Sequence, residues 1–193
     1  MATTKSARKS TSTSRSSSSS RSMDVTTFLK KEHDTVEQLM ARLKKTTGPK
    51  SRWNLAQRIC MELLVHTEME EKSFYPEMRN VPEVADLVQE GYQEHHEVEE
   101  LIQKARPMEP SDPQLMPLMQ QIEKGVKHHV REEEQEMFPK LKKACSREHL
   151  MELTKTLKQA KAAVKREMQG QEQPGERRVR EDVAVGEMGR IGA

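Results

Sequence analysis

Two stretches of this chain state one pattern twice, and that pattern leaves few folds open. His66-Thr67-Glu68-Met69-Glu70 is followed by Phe74, Tyr75 and Pro76, and His129-Val130-Arg131-Glu132-Glu133 by Met137, Phe138 and Pro139. In both, a Glu stands four residues after the His and a Pro ten residues after it. Residues four apart share one face of a helix. Each stretch therefore aims an imidazole and a carboxylate the same way.

The repetition reaches beyond these two segments. Glu32-His33 is followed by Val36, Glu37 and Leu39, and Glu94-His95 by Val98, Glu99 and Leu101, at identical offsets. His33 precedes His66 by thirty-three residues and His95 precedes His129 by thirty-four. The chain reads as two helical hairpins, each with a lone inward His and a His-x-x-x-Glu pair, a weak internal duplication.

Apolar spacing supports helices throughout. Leu29, His33, Val36, Met40 and Leu43 line one face of a first helix that opens at Asp24 and stops at Gly48-Pro49. A second helix, expected from Ser51, carries Leu55, Ile59, Leu63, His66, Glu70 and Phe74. The third, expected from Val81-Pro82, carries Val88, Gly91, His95, Val98 and Ile102. The fourth carries Leu115, Met119, Ile122, Val126, His129, Glu133 and Met137 as one run. A fifth follows from Ser146 through Leu157 to about Met168. Nowhere does a period-two pattern persist. Short connections make neighbouring helices antiparallel, so the expected fold is an all-α, up-down four-helix bundle with an appended fifth helix.

The stripes also choose between adjacent histidines. His95 aligns with Val98 and Ile102 while His96 aligns with Glu99 and Glu100; His129 continues Ile122 and Val126, leaving His128 outside. One inward His is ordinarily a satisfied core residue, and one i,i+4 His–Glu pair is ordinary helix-surface chemistry. Four inward His and two inward Glu are another matter. Each buried polar group without a partner costs about 1–3 kcal/mol, and a metal centre satisfies all six at once. Imidazole and carboxylate donors suit Fe, Mn and Zn alike.

The set His33, His66-x-x-x-Glu70, His95, His129-x-x-x-Glu133, with Pro closing each paired helix, resembles the hemerythrin-like (HHE cation-binding) domain over roughly residues 24–165. The resemblance implies a non-haem di-iron centre inside the bundle. His33, His66, His95 and His129 would be terminal ligands, with Glu70 and Glu133 bridging. Oxygen-carrying hemerythrins place a His-x-x-x-His pair on the third helix, whereas here Gly91 stands four before His95. The resemblance thus implies a more open centre, accessible to a small diatomic or peroxide ligand, with Glu37, Glu99 and Tyr92 as possible further neighbours. Binding, sensing or iron buffering ranks above dedicated catalysis, because no separate nucleophile or general base array accompanies the motif. An oxidoreductase consuming peroxide or nitric oxide, and a metal-stabilised interaction module, are the rival expectations.

Composition adds limits. Residues 1–22 are Ser-rich with five basic residues and no acid, and residues 170–193 are rich in Gln, Gly, Arg and Glu; both are expected to be disordered tails around a domain at 23–169. A solvated tail is the plain reading of the first, with an anion-binding arm or a transit peptide as alternatives. A net charge of +2 gives no argument for nucleic acid. Two cysteines make no disulfide framework, and no apolar run suggests a membrane span, so a cytoplasmic protein is expected. Cys60 is expected to be a small buried hydrophobe and His149 a surface residue.

Overall fold

The computed structural model describes residues 23–171; the two expected tails lie outside the described residues apart from 170 and 171. The described residues are helical, with no strand among them. Four long helices make the bundle: α1 (Val25–Lys45), α2 (Pro49–Ser73), α4 (Ala85–Ala105) and α5 (Leu115–Glu132). Short α3 (Tyr75–Met78) continues from α2, a π-turn (Glu133–Met137) and α6 (Phe138–Ala144) continue from α5, and α7 (Arg147–Gln171) is appended. α4 packs on α5 and α1 on α2, while α2 also packs on α4. The fifth long helix, α7, lies against α2 and α1.

Local chemistry sets the ends. Asp24 accepts a hydrogen bond from the Thr27 amide at 2.9 Å, capping α1 as expected. Ser146 likewise accepts from the His149 amide at 3.2 Å at the start of α7, and His149 is exposed. The start of α2 differs from expectation. The helix begins at Pro49 rather than after Ser51, because Gly48 takes a φ of 88° and Pro is suited to a first helical turn. α4 also starts later than Val81-Pro82. Turn bonds from the Val81 amide to the Met78 carbonyl and from Val84 to Val81 occupy that segment, and the helix opens at Ala85.

The two prolines act through the amide they lack. Before Pro76, α2 ends at Ser73 and the chain restarts as α3. Before Pro139 the chain instead widens, with the Phe138 amide bonding back to the Glu133 carbonyl, five residues earlier. The fourth helix is therefore not the single run that its stripe suggests.

The apolar interior falls into two clusters. One gathers Val36, Met40, Leu43, Ile59, Leu63, Ile102 and Ile122; the other gathers Leu29, Met69, Phe74, Tyr75, Val88, Met137 and Leu157. His33 lies between Leu29 and Val36 along α1, and His66 between Leu63 and Met69 along α2. His95 and His129 are flanked the same way. A polar layer thus crosses the bundle between two dry cores. Cys60 belongs to the first core, and burial pushes its thiol up to about 11, as fits an inert filler.

Candidate metal centre

All six residues expected from the sequence meet in that layer. His33, His66, His95 and His129 are 3–6% exposed, Glu133 1% and Glu70 0%. His96 and His128, the rejected neighbours, are 73% and 61% exposed at their side chains. Two groups of donor atoms form, each with all atoms within 4.8 Å of one another: His33, His66, Glu70 and Glu133, and then Glu70, His95 and His129. Glu70 belongs to both. Glu133 joins the second group loosely, its Oε2 standing 3.7 Å from His129 Nε2 against 3.2 Å from His33 Nε2.

Three of the histidines are oriented by carboxylates. His33 Nδ1 donates to Glu134 at 3.0 Å, His95 Nδ1 to Glu71 at 3.0 Å, and His129 Nδ1 to Glu94 at 2.9 Å. A carboxylate only accepts, so each Nδ1 carries its proton and each Nε2 is left facing the centre. Two of the three pairs cross between hairpins, while Glu94 and His129 belong to the same one. Glu71 follows Glu70 and holds the second hairpin's His95; Glu134 follows Glu133 and holds the first hairpin's His33.

No pattern in the sequence singles out Glu71, Glu94 or Glu134 as these partners. Their only signal was position: each is adjacent to a residue already singled out, on a helix edge where one flank meets the next helix. Glu37 and Glu99 are exposed and stand outside the site.

Tyr75 corrects the expectation of an open position. Its hydroxyl lies 3.3 Å from His95 Nε2 and 3.5 Å from Glu133 Oε1, and its ring stacks on the His95 ring at 5.2 Å. A Cβ built on Gly91 would stand 2.5 Å from that hydroxyl. The space that Gly91 vacates is therefore filled, and the filler is a phenol. Tyr92, the neighbour suggested by sequence, instead packs edge-on against Tyr75 at 4.9 Å. The signal was present in the repeat, where Tyr75 and Phe138 each stand five residues after the paired Glu.

The donor set fits a cation. Six buried atoms of the layer find no hydrogen-bond partner among the described residues: His33 Nε2, both ring nitrogens of His66, both oxygens of Glu70, and Glu133 Oε2. At about 1–3 kcal/mol each, such a debt rivals the net stability of a domain, about 5–15 kcal/mol. His95 Nε2 and His129 Nε2 face each other at 3.1 Å. With both Nδ1 atoms protonated, two lone pairs face one another, an arrangement that suits a cation between them.

Burial drives the Glu70 carboxyl well above the usual range, and the nearby Glu133 charge adds to it. Burial opposes ionisation of Glu133 too, but the positive charge of His129 and the contact with His33 outweigh it and hold its carboxyl low. Burial likewise opposes a proton on His33, yet Glu133, Glu70 and Glu134 raise it to about 9. His66, fully enclosed and beside the other imidazoles, is held well below the ordinary value and stays neutral.

A small cavity of about 20 Å³ sits on the layer, bounded by Val36, Leu63, Val98, Val126 and Val130 with the four histidines beneath. That volume holds one water-sized guest.

A helical bundle with a buried, cation-shaped layer of His and Glu defines a cation-binding protein of the all-α class. The match to known families agrees: the chain belongs to the hemerythrin HHE cation-binding domain family, whose model covers residues 24–141. A protein of Nostoc sp. (strain PCC 7120) described as a DNA nickase is 27% identical over 149 residues, which is 77% of this chain and 42% of that relative's length. No solved structure matches the chain. Among the described residues no helix is long and apolar enough to cross a membrane.

Proposed function

We propose that this chain holds a non-haem di-iron centre that binds or senses a small ligand (oxygen, nitric oxide or peroxide) or buffers iron. The observation that carries this reading is the coincidence of six buried donor atoms lacking hydrogen-bond partners with a cavity of about 20 Å³ beside them. Glu70 would be shared between the two metals, with His33, His66 and Glu133 on one side and His95 and His129 on the other. Bound iron would supply redox and Lewis-acid chemistry. The chain's own part is to orient and to exclude water. Glu134, Glu71 and Glu94 fix three imidazoles by their Nδ1 protons, and the valines around the cavity keep the guest out of bulk solvent. The Tyr75 hydroxyl, which fills the space beside Gly91, is placed to hydrogen-bond at the centre. The donor set also accepts Mn or Zn, so metal analysis decides the identity of the ion.

Metal analysis of protein prepared without chelator tests the reading. Two metals per chain, mostly iron, and an absorption band that shifts with nitric oxide or azide are expected. Substoichiometric metal, with no rise in melting temperature on adding Fe²⁺, would remove it, since an ion bound only by the native state must stabilise that state. Turnover separates a binder from an oxidoreductase. Peroxide consumption no faster than in His66→Ala argues for binding alone.

The nickase description of the Nostoc relative motivates a second reading, metal-assisted cleavage of a phosphodiester. Two observations weigh against it for this chain. A cavity of about 20 Å³ cannot seat a phosphodiester, and the neighbouring face of α4 presents Asp86, Glu90 and Glu97, which repel one. Nicking of supercoiled plasmid by the iron-loaded chain, absent in His66→Ala, would reverse that order.

A further inference from the structure

Outside the buried layer, Glu94 of α4 and His128 and Glu132 of α5 bring three donor atoms within 4.8 Å of one another. His128 Nε2 stands 3.4 Å from Glu94 Oε1 and 3.5 Å from Glu132 Oε1. These contacts are too long or poorly aligned to settle the group. Glu94 Oε1 is shielded from solvent and finds no hydrogen-bond partner among the described residues, although its sister oxygen holds His129. Glu94 as a whole is only 12% exposed at its side chain. One shielded carboxylate oxygen thus faces an exposed imidazole on the next helix at ion-pair distance, without a hydrogen bond.

The surroundings are acidic. An open depression over this group is lined by Asp86, Glu90, Glu94 and Glu97 together with His128. Such a cluster is short of positive charge.

We propose that Glu94, His128 and Glu132 form a third, solvent-facing divalent-cation site from which the buried pair is loaded. It rests on the reading of the buried layer as a metal centre, because a loading site needs a destination. One imidazole and two carboxylates suit a borderline divalent ion such as Fe²⁺, Mn²⁺ or Co²⁺, and leave positions for water, as exchange requires. The acidic rim concentrates cations before they bind. Glu94 ties the outer site to the inner one, since one of its oxygens faces the rim and the other positions His129. His128 and Glu132 stand four apart on one helical face, repeating on the outside the spacing of His129 and Glu133 on the inside.

Co²⁺ serves as the probe, with the full chain and the variants His128→Ala and Glu132→Gln, which leave the six buried residues untouched. Equilibrium dialysis counts bound Co²⁺, and stopped-flow absorption follows filling of the buried centre. Three Co²⁺ per wild-type chain are expected, and two per variant, with filling slowed at least several-fold in both. Equal counts in wild type and variants overturn the outer site. A lower count with unchanged filling rate overturns its loading role. If the buried pair itself is misread, the wild type binds one Co²⁺, that ion is lost in both variants, and His66→Ala changes nothing; this outcome separates failure of the inner reading from failure of the outer one.

Discussion

In the first hairpin Tyr75 stacks on the second hairpin's His95; in the second hairpin Phe138 stacks on the first hairpin's His33, at 6.1 Å and nearly parallel. The two rings occupy equivalent places in the repeat, and their neighbours change with them. Where the ring carries a hydroxyl, the residue four before the histidine is Gly91; where it does not, that residue is Leu29, part of the dry core. Volume is exchanged between helix and ring, and the exchange leaves a phenol on one side of the centre only.

The carboxylates differ too. Glu94 precedes His95 and orients His129, so the repeat would have Glu32, which precedes His33, orient His66. Glu32 is instead paired with Lys161 of α7, and neither ring nitrogen of His66 has a hydrogen-bond partner among the described residues. The appended helix packs on the first hairpin and breaks the symmetry there. Equal ligand types in the two halves therefore do not imply equal sites: one half is fixed by an outer carboxylate at every imidazole, the other is not.

Substituting the paired carboxylates gives the largest test of this inequality. Glu70 serves both donor groups and Glu133 chiefly one. Glu70→Ala is expected to drop bound metal from two per chain to below one, and Glu133→Ala to about one, as read by metal analysis after gel filtration.

Outer carboxylates come next. Loss of a partner that orients a metal-bound imidazole typically costs 10–100-fold in affinity. Glu94→Gln should weaken metal binding by roughly that range, while Glu32→Gln should leave it nearly unchanged because Lys161 already holds Glu32. Competition with a chromophoric chelator measures both. Equal losses would show that the two halves are alike after all. Lys161→Met sharpens the point, since freeing Glu32 to reach His66 should raise affinity rather than lower it.

Packing gives a smaller effect. Gly91→Ala forces a Cβ onto the Tyr75 hydroxyl at 2.5 Å, and overpacking of that kind costs about 1–3 kcal/mol in thermal or urea unfolding. Much of the loss should return in a Tyr75→Phe background, where the atom in the way is gone. Gly125→Ala, whose Cβ would meet only a Val98 methyl at 3.0 Å, should cost under about 1 kcal/mol, partly offset by the better helix propensity of Ala. A Gly91→Ala protein as stable as wild type would mean that Tyr75 does not fill that space.

The two copies of the proline motif also part company. Each Pro stands six residues after its Glu, yet the first copy breaks between α2 and α3 and the second widens into a π-turn. The same missing amide has two local remedies. Sequence spacing located both breaks but showed neither remedy, and it joined α5 to α6 as one helix. At the helix starts, the Asp24 and Ser146 caps were legible because side-chain capping is a local hydrogen bond, whereas the late start of α4 followed from a turn around Pro82 that no periodicity records.

From the sequence alone came the helices, the bundle, and all six inward residues, including the choice of His95 over His96 and of His129 over His128. Those are matters of facing, and a period of 3.6 residues fixes facing within each helix. Whatever depends on two elements meeting was left to tertiary structure. It decided that Glu134, Glu71 and Glu94 reach across to particular imidazoles, that Lys161 withdraws Glu32 from His66, and that Tyr75 fills the place of a side chain Gly91 does not have. His66-Thr67-Glu68-Met69-Glu70 and His129-Val130-Arg131-Glu132-Glu133 are alike as words; the helices packed around them make them unlike as sites.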